Sequence, residues 1–341
     1  MTTNSATLTA APATTPSNTT TWRRFGVAVL IVFGLVLPFL VSKYQSFELT
    51  RAMCFAIGLL GLNILTGYNG QISLGHGAFF AVGAYTTAIL MHHFGVPFWL
   101  TLPVAAIVSF VVGVGFGLPA LRLEGLYLAL VTLAMALAVP QLLKYFDTWT
   151  GGTTGLTLKK PMAPAMLGLD RDRYLYLLAL IAMLAMFWLG SNLLRGRTGR
   201  ALVAVRDHPI SAAAMGIDIA RTKTLAFGTS ALFTGVAGAM SAILIGFVSP
   251  DSFPPFLSLS FIVGSMVGGI ATVGGAVFGG LFVVFVPNWA SDISEAAPWA
   301  INGVVLLAFM YLMPTGVAGF FGPRVGRWFS QIAQSKAGRK Q

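Results

Sequence analysis

The chain has 341 residues, 56% of them hydrophobic and 9% charged, with a mean hydropathy of +0.81 and a net charge of +11. A soluble domain carries roughly a quarter charged residues, so this composition excludes an ordinary globular enzyme and describes a polytopic membrane protein. The positive excess belongs to cytoplasmic loops and not to a nucleic-acid surface, and the single cysteine, Cys54, reads as a small buried hydrophobe in an apolar run, with no disulfide partner.

Residues 1–21, MTTNSATLTAAPATTPSNTTT, carry no charged side chain and little apolar surface, which predicts a disordered tail. Arg23 and Arg24 then precede an apolar run without a small-residue cleavage site, as in an uncleaved first span whose tail stays cytoplasmic. The runs long and apolar enough to cross a bilayer are 24–41, 52–68, 76–93, 97–119, 125–144, 174–194, 224–247, 257–272, 275–290 and 299–313. They predict an all-α polytopic membrane protein with about ten transmembrane helices. The membrane domain covers 22–320, and a basic cytoplasmic tail covers 321–341. Glycine-rich breaks within 52–93 and 257–290 leave one long hairpin or two shorter pieces equally open.

Charge sets the orientation. If every run crosses, fourteen of the 21 Lys and Arg fall on the amino-terminal side of the membrane. The contrast is sharpest between 195–223, with six cations, and 291–298, SDISEAAP, with two acids and no cation. The positive-inside rule then puts both termini in the cytoplasm and the long loop 146–173 outside. Segments 52–144 and 224–313 each hold four runs, in opposite orientation, which is the arithmetic of an inverted repeat. Both repeats are glycine-rich at NGQISLGHGAFFAVGAY and VGGIATVGGAVFGGLF, but so are membrane helices in general.

No Asp, Glu, Lys or Arg occupies the interior of a run as drawn, which argues against a proton-coupled carrier. Sodium coupling through carbonyls and hydroxyls of broken helices stays open. No Lys follows a Gly, so the chain has no phosphate-binding P-loop, and any nucleotide hydrolysis that drives it must come from another polypeptide docked on an inside loop. Without a CxxC, HExxH, triad or paired-carboxylate pattern, no cofactor, metal or catalytic residue is expected.

The inside loop that stands out runs from 199 to 227. Ile210, Ala213, Ala214 and Ile217 fall at i, i+3, i+4 and i+7, a one-sided apolar stripe on a short helix. Asp207 and Pro209 supply a helix start, and Gly216 supplies a stop. A basic amphipathic segment suits either an anionic lipid surface or a partner groove; the small Ala-Ala-Met-Gly face favours the groove.

Four ordered motifs carry a family resemblance: GLNILTGYNGQISLGHGAFFAVGAYTTAIL (61–90), LRLEGLYLALVTLAMA (121–136), TGGTTGL (150–156) and RALVAVRDHPISAAAMGIDIARTKTLAFGTSALFTGVAGAM (200–240). Together they resemble the branched-chain amino acid ABC transporter permeases, from about residue 24 to MPTGVAGFF near 320. The resemblance implies an inner-membrane importer subunit. Its expected partners are a second homologous permease, two cytoplasmic ATPase subunits, an external substrate-binding protein and the lipid bilayer, with no nucleic acid.

The resemblance also implies that Arg206, Asp207, His208, Pro209, Ala213, Ala214, Met215, Gly216 and Ile217 form the ATPase-docking element. The acidic residue often present before the glycine is replaced here by the run Ala212 to Met215. Permeases for urea and short amides are similar, so the cargo is either a branched-chain or related amino acid or one of these. A stand-alone secondary carrier is the alternative from another class. For the substrate pathway the polar candidates are Asn63, Gln71, Ser73, His76 and Thr153. Each of the buried-looking ones has a plain alternative, bonding a neighbouring helix or a helix end. Gly70, Gly75 and Gly77 read as permitting a break and close packing.

Overall fold

The computed structural model describes residues 32–164 and 168–293 and short pieces between 303 and 320. The tails 1–21 and 321–341 lie outside the described residues, as do the start of the first run and most of the last. The chain divides into two units. Of the first, 1–37 with 323–341, residues 32–37 are described, helical and mostly exposed; the second, 38–322, holds the other described residues.

The described residues form helices joined by short loops: α1 (32–40), α2 (Lys43–Leu62), α3 (His76–His93), α4 (Phe98–Ala120), α5 (Leu126–Tyr145), the single turn α6 (Asp147–Thr150), α7 (Arg171–Arg195), α8 (Arg197–Asp207), α9 (Pro209–Ala214), α10 (Ile219–Ile245), α11 (Pro255–Gly268) and α12 (Gly275–Ile293). Two-residue strands, β1 (Leu156–Thr157) and β2 (Phe247–Val248), pair antiparallel with Leu156 opposite Val248. Among the described residues, five helices are long and apolar enough to cross a membrane, and Gly275–Ser291 of α12 is a shorter apolar stretch. The protein is an all-α polytopic membrane protein.

Burial sorts the helices. In α2 and α10, 78% of the apolar window is buried inside the chain, against 28%, 33% and 22% in α4, α5 and α7. A helix apolar all round that is buried is a core element, and one whose apolar side chains stay exposed faces lipid or another apolar partner. Accordingly α10 packs on α2, α3 and α4, while α2 also packs on α7 and α12. Phe55 of α2, Phe80 of α3, Phe253 just before α11 and Phe261 of α11 interlock at this centre, with ring centroids 5.5–6.2 Å apart.

Helix partners exchange in the way a repeat of 52–144 in 224–313 calls for. α2 packs on α12 as α10 packs on α4, and α11 pairs with α12 as α3 pairs with α4. The match is incomplete, since α11 touches α2 less than α3 touches α10. The fourth member of the second set, 299–313, lies largely outside the described residues.

Two run boundaries are corrected. The helix drawn from residue 52 begins at Lys43, because Ser42 and Gln45 form a capping box in which each side chain bonds the other's backbone N–H, at 3.3 and 3.2 Å. The extension brings Glu48 and Arg51 into the helix, so α2 carries charge in its first half although the run drawn from 52 has none. Glu48 is buried, and its carboxylate accepts from Arg51 at 3.2 Å and from Asn288 Nδ2 of α12 at 2.9 Å. The helix drawn over 257–272 is α11, which stops at Gly268; a turn through 269–274 leads into α12.

Candidate functional site

Two arrangements at one end of the bundle carry the sequence's functional candidates. The first is the α8–α9 loop. α8 turns Leu202 and Val205 inward and ends at Asp207. His208, in non-helical backbone, is the N-cap of α9, correcting the expectation that Asp207 starts this helix. Pro209 occupies the first turn, where a missing N–H costs nothing. Gly216 closes the helix with φ +83°, a left-handed conformation that favours glycine, and its N–H donates to the Ala213 carbonyl at 2.9 Å. Asp218 then caps α10 by accepting from the Arg221 N–H at 3.0 Å.

The predicted stripe of Ile210, Ala213, Ala214 and Ile217 is realised in part: α9 ends at Ala214, so Ile217 lies beyond the helix and is half-buried, while the rest faces away from the protein. Ile210 and Met215 are each 86% exposed, Ala213 and Ala214 are exposed, and Ala212 is the residue α9 buries. Arg206 is turned the other way. Its Nη1 donates to the Gly67 carbonyl at 2.7 Å and its Nε to the Asp207 carboxylate at 2.8 Å. That hydrogen bond from Arg206, with the guanidinium charge, holds the Asp207 carboxyl below the usual carboxylate range.

The second arrangement is the break between α2 and α3. α2 runs on into a π-helical segment, Asn63–Tyr68, after which residues 69–75 are not helical. Asn63 is fully buried; its Nδ2 donates to the Thr272 carbonyl at 3.1 Å, and its Oδ1 accepts from Ser265 Oγ at 2.6 Å. Gln71 is buried and its Oε1 accepts from Asn69 Nδ2 at 2.6 Å. The Leu74 N–H donates to Thr132 of α5, and the Gly77 N–H to Ser258 of α11, both at 2.9 Å. The loop is thus bound to both neighbours through backbone donors that lack helical partners.

His76, at the start of α3, is buried with both ring nitrogens occupied. Proton accounting fixes its tautomer. Ser230 Oγ gives its one hydrogen to the Gly61 carbonyl at 2.7 Å, so in the 2.7 Å contact with His76 Nε2 it must accept. His76 therefore carries its proton on Nε2, and Nδ1 accepts from Ser73 Oγ at 3.2 Å. This neutral clasp joins α2, α3 and α10.

Asn63, Gln71, Ser73 and His76 thus come together as the fastening of one helix break, all buried. Thr153 is exposed, in a short turn at the other end of the bundle. There Lys144 pairs with Asp251 at 2.7 Å, Lys43 with Asp170 at 3.6 Å, and His92 meets the Thr157 carbonyl at 3.2 Å. Sequence reasoning missed the partners Ser230, Ser265, Thr272, Ser258 and Thr132. As isolated small hydroxyls in apolar runs they have no periodic signal. Glu48 it missed for another reason, although SKYQ at 42–45 is a legible capping box.

Residues 46–314 match the family model described as branched-chain amino acid transport system / permease component. The chain belongs to this family. Among curated relatives it is 33% identical, over 87% of its length and 75% of theirs, to the high-affinity branched-chain amino acid transport system permease protein LivM of Salmonella typhimurium. To the same-named protein of Escherichia coli it is 32% identical over 88% of this chain and 76% of the relative. A permease of another printed cargo, the autoinducer 2 import system permease protein LsrC of an Enterobacter species, is 27% identical over 84% of each chain. No solved structure matches. As a branched-chain amino acid permease component, the chain is a multi-pass inner-membrane transport protein.

Proposed function

We propose that the chain is the permease subunit of an ATP-binding-cassette importer for branched-chain or related amino acids. It works with a second homologous permease, two separate ATPase subunits and an external binding protein. The observation that carries this reading is the outward-facing apolar surface of α9 and its C-cap, with Ile210 and Met215 both 86% exposed in the loop that holds six of the chain's cations. By the positive-inside rule that end is cytoplasmic, where ATP is. Burying an Ile or Met side chain fully is worth about 1.5–3 kcal/mol, so two such anchors suit a protein groove.

The docking contact falls on Ile210, Ala213, Ala214 and Met215, framed by His208, Pro209, Gly216 and Ile217. Arg206 and Asp207, bonded to Gly67 and to each other, stand behind that surface and not on it. Asn63, Gln71, Ser73 and His76 contribute to the pathway by holding the helix break in place, and Thr153 marks its outer side. Both termini lie in the cytoplasm, and 22–320 is the membrane domain between two tails. The LivM names support branched-chain amino acids as cargo. Urea or short amides remain the second reading, because a relative with an unrelated printed cargo shows how far substrates diverge on this scaffold.

The test is uptake of labelled leucine by cells expressing the whole transporter. Unlabelled leucine, isoleucine and valine are expected to compete and urea is not. Ile210→Asp with Met215→Asp is expected to abolish co-purification of the ATPase. Competition by urea alone would move the cargo to the second reading, and an ATPase retained by the double variant would remove the docking surface.

A further inference from the structure

We propose that Arg206 is a positioning residue of the transport cycle, carrying movement of α8–α9 into the α11–α12 turn through the π-helical segment Asn63–Tyr68. The proposal rests on the docking role of α9 argued above.

The Gly67 carbonyl is among the last four of its helix and has no helical donor of its own. Arg206 supplies one, so the end of α2 is finished by a side chain from α8. The same side chain is held at two further points. Its Nε bonds Asp207, the last residue of α8, and its stem lies over Gly70, where a Cβ would come within 2.7 Å of Arg206 Cγ. A long cation fixed at its head, side and stem acts as a strut, not as a solvated surface charge. Gly70, with φ +76°, leaves the space the strut occupies.

The other face of the π segment is fastened to the α11–α12 turn. Asn63 bonds the Thr272 carbonyl and Ser265 Oγ. Gly67 lies directly against Ala271, whose backbone nitrogen would be 2.5 Å from a Cβ on Gly67. Ala271 has φ +60°, the one non-glycine residue among those described that is left-handed. Such a conformation persists where neighbours over-determine it, and here the neighbour is the π segment. One six-residue segment therefore receives α8 on one side and holds the α11–α12 turn on the other.

A π turn suits this position physically. Changing a helix register by one residue between α and π rotates the chain beyond it by about 100°. Two discrete arrangements of the same residues are what coupling between distant parts requires, and π turns are frequent at functional sites. A shift of α8–α9 that pulls on the Gly67 carbonyl would act at the last turn of that segment and, through Ala271 and Thr272, on the turn between α11 and α12.

The experiment uses the complete transporter in proteoliposomes, with ATPase retention, ATP hydrolysis and leucine taken up per ATP as separate readouts. Arg206→Gln is expected to keep the ATPase bound and hydrolysing while uptake per ATP falls roughly tenfold, within the usual span of coupling effects. Arg206→Lys, which can still donate to the Gly67 carbonyl, is expected to restore part of it. Ser265→Ala, a mild change at the far fastening, is expected to lower uptake per ATP in the same way, and to do so even if Arg206→Gln does not insert. Residues in series predict that Arg206→Gln with Ser265→Ala is no worse than the more severe single variant. Normal coupling in Arg206→Gln, loss of the ATPase from it, or additive defects in the double variant would overturn the proposal. Ile210→Asp reports on the docking reading alone, since it removes the ATPase without touching Arg206.

Discussion

Gly83 of α3 and Gly235 of α10 meet backbone to backbone, so closely that a Cβ on Gly83 would overlap the Gly235 carbonyl. Gly238, one turn along α10, stands in the same relation to the Phe80 carbonyl of α3. Lipid tails are as apolar as leucine, so helices in a membrane associate by close packing, which small residues permit. Since α10 is the helix most of the others pack on, this crossing sets their spacing.

Gly83→Leu is therefore expected to break the α3–α10 crossing. Overpacking costs about 1–3 kcal/mol where neighbours can yield, and a facing backbone yields less than a side chain. The purified variant should aggregate or melt well below the wild type. Gly115→Leu is the control: this exposed position of α4 has no atom within 4 Å of an added Cβ and should leave the melting temperature nearly unchanged.

Ser230→Ala takes away the oxygen that accepts the His76 Nε2 proton, leaving a buried donor unpaired at a cost of about 1–3 kcal/mol. The melting temperature should fall while the apparent KM for leucine uptake changes little. An altered KM with an unchanged melting temperature would place His76 in contact with the substrate.

Much of the fold was legible because a bilayer demands long apolar runs. Those at 76–93, 97–119 and 125–144 sit on α3, α4 and α5 to within a residue or so. Hydropathy did not reveal the start of α2, since Glu48 and Arg51 look like loop residues until Asn288 is seen beside them. The π segment was invisible too, because one extra residue per turn changes register and not composition. Pro209 and Gly216 were legible as the punctuation of α9, as both act through their own backbone. Asn63 and His76 stood out as polar residues in apolar runs. Their meaning depended on partners 154 to 209 residues away, which no local pattern identifies.

Cys54 is buried, so the wild-type chain should resist a membrane-impermeant maleimide. Thr153→Cys should label in intact cells, and Met215→Cys only after permeabilisation, because both positions are exposed at opposite ends of the bundle. Labelling of Met215→Cys from outside would reverse the orientation and remove α9 from the reach of a cytoplasmic ATPase.

The most direct test is to reconstitute the chain in vesicles, first alone and then with the second permease, the ATPases and the binding protein, and to follow labelled leucine. An ATP-driven importer subunit predicts accumulation only in the complete assembly, dependent on ATP hydrolysis and abolished by the Ile210→Asp, Met215→Asp double variant. Leucine flux through the chain alone, driven by an ion or substrate gradient without ATP, would contradict it and establish a secondary carrier.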